Sequence, residues 1–187
     1  MLNLIESFEF LRKFPIARYD IIKSEEDLEK LDFPYYMKVS ISGHKTEEKA
    51  IFRCKNIEEA KKNFNFLRKK FNSEIIIQEE AEGIEMIIGL KKDKVFGKLF
   101  LIGFGGIFTE KIKDVSFRAL PIDRKEIEKM ILELKFNSLL FSRKKYNISK
   151  FIELALNISK LDISELDLNP VMLNENNAVI VDARLET

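Results

Sequence analysis

Carboxylate and amide side chains occupy alternate positions in two short apolar runs near the end of the sequence. Asp167 and Asn169 lie in the run SELDLNPV, and Asp182 and Arg184 lie in the later run VIVDAR. Alternate side chains of a strand share a face, so each pair is predicted to point to one side. The Asn-rich segment between the runs predicts a hairpin turn. Two adjacent strands would then present carboxylate and amide oxygens together, which suits Mg²⁺. The alternative is the polar face of an edge hairpin.

A lysine and the only histidine of the chain lie close together in the sequence. Lys38 lies in the apolar run PYYMKVSI, which predicts a strand, and His44 follows in the segment ISGHKTEE. A strand lysine can act as a point charge on a phosphate group. A neutral imidazole can attack phosphorus and carry a phosphoryl group. The alternatives are a solvated strand lysine and an ordinary loop histidine.

Amide and acidic side chains also end a later apolar run. Gln78, Glu79 and Glu80 follow a run of isoleucines and precede Gly83. Acceptors at such a strand end can receive the amino group of an adenine, although an acidic hairpin turn explains the same residues. The glycine-rich segment GFGGIF follows another strand run and can offer backbone donors to an anion. It lacks the Walker A lysine and the Rossmann spacing, so its glycines indicate no more than a tight turn.

The composition bounds the class of protein. The 187 residues suffice for one domain or two small lobes, and the net charge of +1 gives no sign of a nucleic-acid partner. Cys54 is the only cysteine, which rules out an internal disulfide and predicts a reducing cytoplasm. No apolar run approaches the roughly 18 residues that cross a bilayer. The start of the chain is predicted to be an amphipathic helix and not a secretion signal.

Helical and strand patterns alternate along the chain. Apolar residues spaced by three and four predict helices, and Ser24, Asn56 and Asp123 are the predicted capping residues. Strands are predicted at Pro34–Ile41, Glu74–Glu80, Gly83–Leu90, Val95–Phe104 and Asp114–Leu120, before the closing strand pair. Because the strands are grouped and the helices lie between the groups, the predicted fold class is α+β.

The order of these pieces resembles a known family. The pieces extend from about Glu6 to Arg184. In order they are a strand lysine, a histidine loop, an acidic strand end, GFGGIFTE with KDVSFRALP, and ELDLNPV with VDAR. This arrangement resembles the ATP-grasp (β) subunit of ADP-forming acetyl-CoA synthetase and is more distantly similar to the β subunit of succinyl-CoA synthetase. The resemblance implies an ATP-grasp fold of two small α+β lobes, approximately residues 15–80 and 81–187, with nucleotide between them.

The resemblance also implies nucleotide contacts. Lys38 matches a lysine expected on the nucleotide phosphates, and Glu85 matches a carboxylate expected near the ribose. A further set matches the hinge between the lobes, where adenine is expected: Gln78, Glu79, Glu80 and Ala81. Positions matched to phosphate contact or loop shape are Gly105, Gly106 and Arg118.

The metal and catalytic roles follow from the same resemblance. Asn169 and Asp182 match magnesium ligands, and Asp167 matches an acidic residue that orients a phosphohistidine. His44 matches the histidine thought to carry a phosphoryl group between the nucleotide site and a partner subunit.

The family reaction converts acyl-CoA, ADP and phosphate to acid, CoA and ATP. This chain would supply the site for ADP or ATP and Mg²⁺, and a separate CoA-binding α subunit would complete an enzyme, expected to be α₂β₂, in the cytoplasm. The histidine motif departs from the family pattern, since Glu47 replaces an aspartate and Lys49 and Ala50 replace two glycines. The family pattern also has a later Arg-Gly pair, of which this sequence keeps only the arginine, Arg143. The alternative function is a non-catalytic ATP-grasp module that binds nucleotide or a partner and regulates it.

Overall fold

The computed structural model describes residues 1–42, 50–106, 113–142 and 145–187. In this part of the chain the helices are α1 (Leu4–Phe10), α2 (Ile57–Lys70), α3 (Arg124–Glu133) and α4 (Ile148–Ser159). The strands are β1 (Tyr19–Ile22), β2 (Tyr35–Val39), β3 (Ile51–Cys54), β4 (Ile75–Glu79), β5 (Ile84–Asp93), β6 (Gly97–Phe104), β7 (Val115–Ala119), β8 (Glu165–Leu173), β9 (Ala178–Ile180) and β10 (Arg184–Glu186). Two short 3-10 helices span Glu25–Glu29 and Asn137–Leu139.

The strands form two antiparallel sheets. The smaller sheet has the order β1-β4-β2-β3, and the larger has the order β10-β8-β5-β6-β7, with β9 also paired to β8. Residues 80–83 carry the chain from β4 in the first sheet to β5 in the second. Helices and antiparallel sheets are therefore segregated, which confirms the predicted α+β class.

The predicted hairpin near the end of the chain is present. β8 and β9 are antiparallel, with Val171 opposite Ile180. The side chain of Asn174 closes the turn, because its Oδ1 accepts the backbone N–H of Asn176 and of Asn177, each at 2.9 Å. β8 also pairs with β5 on its other side, so it lies inside the sheet and not at its edge. The second predicted strand is divided into β9 and β10, and Asp182 lies between them.

Local capping signals set the starts of the helices. The side chain of Asn56 accepts the backbone N–H of Glu59 at 2.9 Å and begins α2. Asp123 accepts the N–H of Glu126 at 2.8 Å and begins α3. Ser24 forms the predicted capping box, but the segment that it opens is a 3-10 helix. These side chains bond backbone donors that have no partner within the helix, which explains why the sequence could predict them.

The described residues form two apolar clusters, one centred on each sheet, although Ile76 of the smaller sheet belongs to the larger cluster. Buried residues of the smaller sheet pack with Phe64 and Leu67 of α2. Buried residues of the larger sheet pack with α3, α4 and the N-terminal helix, including Phe8 and Leu11. The helix α1 thus packs mainly in the core of the larger sheet although it precedes the smaller one. The lobe limits at residues 15–80 and 81–187 stay a prediction.

Two short strands were not predicted. β1 and β3 each have four residues, too few for a periodic pattern to stand out from their polar surroundings. Both lie at the edges of the smaller sheet and complete the scaffold around β2 and β4. Within the described ranges, every helix is too short or too polar to cross a membrane.

A pair of phenylalanines tests the core of the larger sheet. Phe100 on β6 is fully buried, whereas Phe96, in the turn before β6, is 70% exposed. We expect Phe100→Ala to lower the free energy of unfolding by about 3–5 kcal/mol, because it removes packing and leaves a cavity. The same change at Phe96 should cost less than about 0.5 kcal/mol. Urea unfolding measures both, and equal losses would contradict this assignment of the core.

Candidate functional site

A cleft of about 290 Å³ lies between the two sheets. Two larger depressions of about 560 Å³ lie elsewhere on the described surface, and every lysine that lines them is exposed. The cleft instead combines a buried lysine with carboxylate and amide side chains. The sequence-predicted residues that line it are Lys38, Gln78, Glu79, Ala81, Glu85, Asn169 and Asp182.

Lys38 is buried at the point where the two sheets meet. Its side chain extends from β2, and the residue is only 6% exposed. The Nζ atom donates to Oε1 of Gln78 and to the carbonyl oxygen of Val181, each at 2.6 Å. Gln78 belongs to the smaller sheet, whereas Val181 follows β9 in the larger one. A buried ammonium group requires such acceptors, so the interpretation of Lys38 as a solvated strand lysine is wrong.

The connection between the sheets is fixed by hydrogen bonds to the segment before β1. Gln78 is 1% exposed, and its Nε2 donates to the carbonyl oxygen of Ala17 at 3.5 Å. The carboxylate of Glu79 accepts the backbone N–H of Arg18 at 2.8 Å. Ala81 follows in the cleft wall. Because β4 and β5 belong to different sheets, this acidic segment is an inter-sheet connection and not a hairpin turn.

Glu80 is held by an arginine of the neighbouring strand. Arg53 on β3 donates from Nε and Nη2 to the two carboxylate oxygens of Glu80, at 2.8 and 2.7 Å. These bonds hold the pKa of Glu80 below its usual value. The hydroxyl of Tyr36 lies 3.4 Å from the same carboxylate, and burial is the main reason why the Tyr36 pKa is raised. Glu80 is thus bound to the wall of the cleft.

Asn169 and Asp182 face the cleft from the larger sheet. The register between β5 and β8 shifts between Met86 and Ile88, which places a β-bulge at Asn169–Pro170. Asp182 lies in the break between β9 and β10, where its Oδ1 accepts the N–H of Ala183 at 3.0 Å. Both side chains line the same cleft as Lys38.

The oxygen donors of the cleft fit magnesium. No three histidine, cysteine, aspartate or glutamate side chains of the described residues are grouped as a metal cluster. Mg²⁺ does not require one, because it binds few protein oxygens and keeps positions for water and phosphate. The hard oxygens of Asn169 and Asp182 provide such a partial set.

Gly105 and Gly106 of the GFGGIF segment lie against Glu85. The N–H of Gly105 donates to the carbonyl oxygen of Glu85 at 2.7 Å. Gly106 has φ of +59°, and a Cβ at this position would overlap the Glu85 carboxylate. The left-handed backbone favours glycine at position 106, whereas the carboxylate, as the end of a flexible side chain, could move aside. The contact places the start of the glycine segment beside the cleft.

The structure does not bring Arg118 into this cleft. Its guanidinium extends from β7 to α3, where Nε donates to Glu126 at 2.7 Å and Nη2 bonds Glu133. These bonds raise the pKa of Arg118 and lower those of both glutamates. Its predicted phosphate role stays a prediction.

Of the two predicted catalytic residues, the structure describes only Asp167. Asp167 is half-buried on β8, opposite Arg184 of β10, and is not one of the described residues that line the cleft. His44, Glu47, Lys49 and Arg143 lie outside the described residues.

Sequence reasoning missed several residues of the cleft. Its unpredicted lining residues are Tyr36, Ile51, Pro170, Met172 and Val181. Tyr36 lies two positions before Lys38 on β2, so strand alternation could have placed it on the same face. Val181 contributes a backbone carbonyl, and no side-chain pattern could have identified it. Arg53, which holds Glu80, carried no signal because β3 was not predicted.

A family model for the ATP-grasp domain matches residues 4–187. The chain is 35% identical, over 96% of its length, to acetate–CoA ligase [ADP-forming] II of Archaeoglobus fulgidus, and spans 29% of that protein. It is 30% identical, again over 96% of its length, to the β subunit of acetate–CoA ligase [ADP-forming] I of Pyrococcus furiosus, and spans 89% of that subunit.

Solved structures of one protein are also similar to the chain. The dinucleotide-forming acetyl-coenzyme A synthetase 1 of Ca. Korarchaeum cryptofilum, in complex with coenzyme A, Ca-AMPCP and HgCl⁺, aligns with a TM-score of 0.85. The identity is 28%, and the alignment covers 99% of this chain and 92% of that one. Another structure of the same synthetase contains coenzyme A and Mg-AMPPCP, with a phosphohistidine segment that points towards the nucleotide-binding site. It aligns with a TM-score of 0.80 and 26% identity, over 98% of this chain and 91% of that one.

The bond between Arg53 and Glu80 predicts a pH-dependent contribution to stability. A carboxyl group whose pKa is lowered on folding stabilises the protein above its ordinary value, here 4.5, and loses this effect as pH falls through the lowered value. We expect Glu80→Gln to reduce the free energy of unfolding at pH 7, and the difference from wild type to shrink below pH 4.5. Urea unfolding at a series of pH values from about 3 to about 7 measures this difference in the free energy of unfolding.

The exposed Glu82 supplies the matched control. Glu82→Gln makes the same change in the same connection and should leave the pH dependence of stability unaltered. A constant difference between Glu80→Gln and wild type at every pH would contradict the assigned pKa.

Proposed function

We propose that the cleft between the sheets binds ADP or ATP. The premise is that this chain belongs to the ATP-grasp family, with the β subunits of ADP-forming acetate–CoA ligases. The observation that carries this proposal is the buried Lys38 in the same cleft as Asn169 and Asp182. The ammonium group would contact the nucleotide phosphates. The base would lie against the connection from Gln78 to Ala81, and Glu85 would lie near the ribose.

Magnesium is proposed as the metal of this site. Asn169 and Asp182 would hold it, and the bound metal would neutralise phosphate charge. The Korarchaeum structures, with Ca-AMPCP and with Mg-AMPPCP, support a divalent ion beside the nucleotide. In such phosphoryl transfer the chain's own residues mainly position groups and stabilise charge.

We propose that the chain is the nucleotide-binding subunit of an enzyme that converts acyl-CoA, ADP and phosphate to acid, CoA and ATP. A terminal oxygen of the ADP β-phosphate would attack the phosphorus of phosphorylated His44. The P–N bond would break, ATP would form, and the imidazole would return to its neutral form. Asp167 would orient the imidazole. The phosphohistidine segment of the Korarchaeum enzyme supports this sequence of events.

A second chain would complete the enzyme. The Pyrococcus relative is named a β subunit, which supports a partner that binds CoA, in an assembly expected to be α₂β₂. The chain spans under a third of the Archaeoglobus ligase, so the remaining functions of such an enzyme would lie elsewhere. A cytoplasmic location is proposed from the single cysteine.

Nucleotide binding is the first test. We expect Mg-ADP to raise the melting temperature of the chain, because a ligand that binds the folded state stabilises it by mass action. Lys38→Met should weaken ADP binding about tenfold or more, which corresponds to about 1.4 kcal/mol. Asp182→Asn should mainly reduce the part of the affinity that depends on magnesium. Calorimetry with ADP, with and without Mg²⁺, measures both effects.

Asp32→Asn is the control for Asp182→Asn, because Asp32 is exposed and is not among the described residues that line the cleft. It should leave the magnesium dependence unchanged. If the wild-type chain does not bind ADP even at roughly millimolar concentration, the proposed function is overturned.

The phosphoryl carrier is tested at His44. Because this is the only histidine in the chain, any phosphohistidine must form there. In an enzyme reconstituted with the CoA-binding subunit, His44→Ala should retain ADP affinity and lose ATP formation by several orders of magnitude. The isolated chain should form no ATP from acyl-CoA. Coupled assays of ATP formation and calorimetry with ADP give the two readouts.

Retention of more than about a tenth of wild-type turnover in His44→Ala would exclude the relay. Intact ADP binding together with no phosphorylation of the wild-type histidine would instead support the non-catalytic module. These two results separate catalysis from simple nucleotide binding.

A further inference from the structure

The side-chain amide of Gln78 is bonded at both ends. Its Oε1 accepts the ammonium of Lys38 at 2.6 Å, and its Nε2 faces the carbonyl oxygen of Ala17 at 3.5 Å. The residue is 1% exposed, although it lines the cleft. Both polar atoms of the amide are therefore directed to protein groups.

The partners determine which way the amide points. Lys38 can only donate, and the backbone carbonyl of Ala17 can only accept. The reverse orientation would place an NH₂ group against an ammonium and an oxygen against a carbonyl. The amide oxygen must therefore face Lys38, and the amide nitrogen must face Ala17.

Lys38 depends on this oxygen for its direction. A lysine side chain has a flexible four-carbon stem, and its ammonium group has no planar geometry of its own. Two described acceptors hold Nζ: the carbonyl of Val181 from the larger sheet and Oε1 of Gln78 from the smaller sheet. Gln78 is the acceptor that substitution can remove without changing the backbone.

We propose that Gln78 is a positioning residue, which holds the ammonium of Lys38 towards the nucleotide phosphates and does not read the base. The proposal rests on the proposed nucleotide site and assigns one residue of that site a different task. Loss of the amide would release Nζ from one of its two described acceptors. Phosphate affinity would fall, whereas discrimination between bases would stay the same.

Paired measurements with ADP and IDP test this assignment. The two nucleotides share their ribose and phosphates and differ at the six position of the base. We expect Gln78→Met to weaken both about 10- to 100-fold, the effect of losing a hydrogen bond to a charged group. The ratio of ADP affinity to IDP affinity should stay within about twofold of the wild-type ratio. A changed ratio would show that Gln78 reads the base and would overturn the proposal.

Ser159→Ala is the control for a general loss of buried polar contacts. Ser159 is 8% exposed and donates to the carbonyl oxygen of Leu156 at the end of α4. The substitution removes one buried hydrogen bond in a helix that contributes no residue to the described cleft lining. It should leave both nucleotide affinities unchanged. If Gln78→Met does not fold, Gln78→Asn retains the amide but withdraws it by one methylene group.

A double-mutant cycle separates direct from indirect action. If Gln78 acts through Lys38, then Gln78→Met should have little further effect on ADP affinity in a Lys38→Met background. Full additivity of the two effects would overturn the proposal. So would an ADP affinity of Gln78→Met equal to that of wild type.

Acetylation of lysine gives a readout without nucleotide. The ammonium of Lys38 is buried and donates two described hydrogen bonds, so it should react slowly with acetic anhydride in wild type. It should react several-fold faster in Gln78→Met. Mass spectrometry of the labelled peptide measures the rate, with exposed Lys91 as the internal reference. If wild type binds neither nucleotide, the proposed function fails, and this rate alone decides whether Gln78 positions Lys38. Equal rates in the two proteins would overturn the positioning role.

Discussion

A buried ammonium group joins the two sheets of this protein. A charged group that has lost water must gain hydrogen-bond acceptors, or the folded state is strongly destabilised. Lys38 finds one acceptor in each sheet, Gln78 in the smaller and Val181 in the larger. The cleft therefore lies where one ammonium group is bonded to both sheets. Moving the sheets apart would break the bond to Val181 and leave Nζ with less compensation.

The larger sheet reaches this charge through irregular backbone. Regular strands would satisfy the carbonyl of Val181 within the sheet and would place successive side chains on alternate faces. The break between β9 and β10 directs that carbonyl to Lys38, and the bulge at Asn169–Pro170 interrupts the register of β8. Bulges of this kind commonly change the direction of side chains beside functional sites. The β8–β9 hairpin and the break that follows it thus supply both an acceptor for Lys38 and the oxygens of Asn169 and Asp182.

The sequence could predict features whose causes are local. Asn56 and Asp123 bond backbone donors three residues away, so a short window contains the whole interaction. The bond from Lys38 to Val181 joins residues that are 143 positions apart, and nothing beside Lys38 in the sequence indicates its burial. Family resemblance placed the predicted hinge at Gln78 and grouped Arg118 with the predicted phosphate contacts. The described contacts of Arg118 include two acidic groups of α3, which resemblance to a motif cannot reveal.

The charge of the cleft explains why a metal belongs with the proposed nucleotide. Among the described lining residues, Lys38 is the only cation, whereas Glu79, Glu85 and Asp182 carry carboxylates. Ionised carboxylates next to a diphosphate repel it, and one ammonium group does not offset them together with the phosphate charge. A divalent cation held by Asp182 would offset that repulsion. If the proposed site is correct, nucleotide and magnesium would bind with positive coupling, each more weakly without the other.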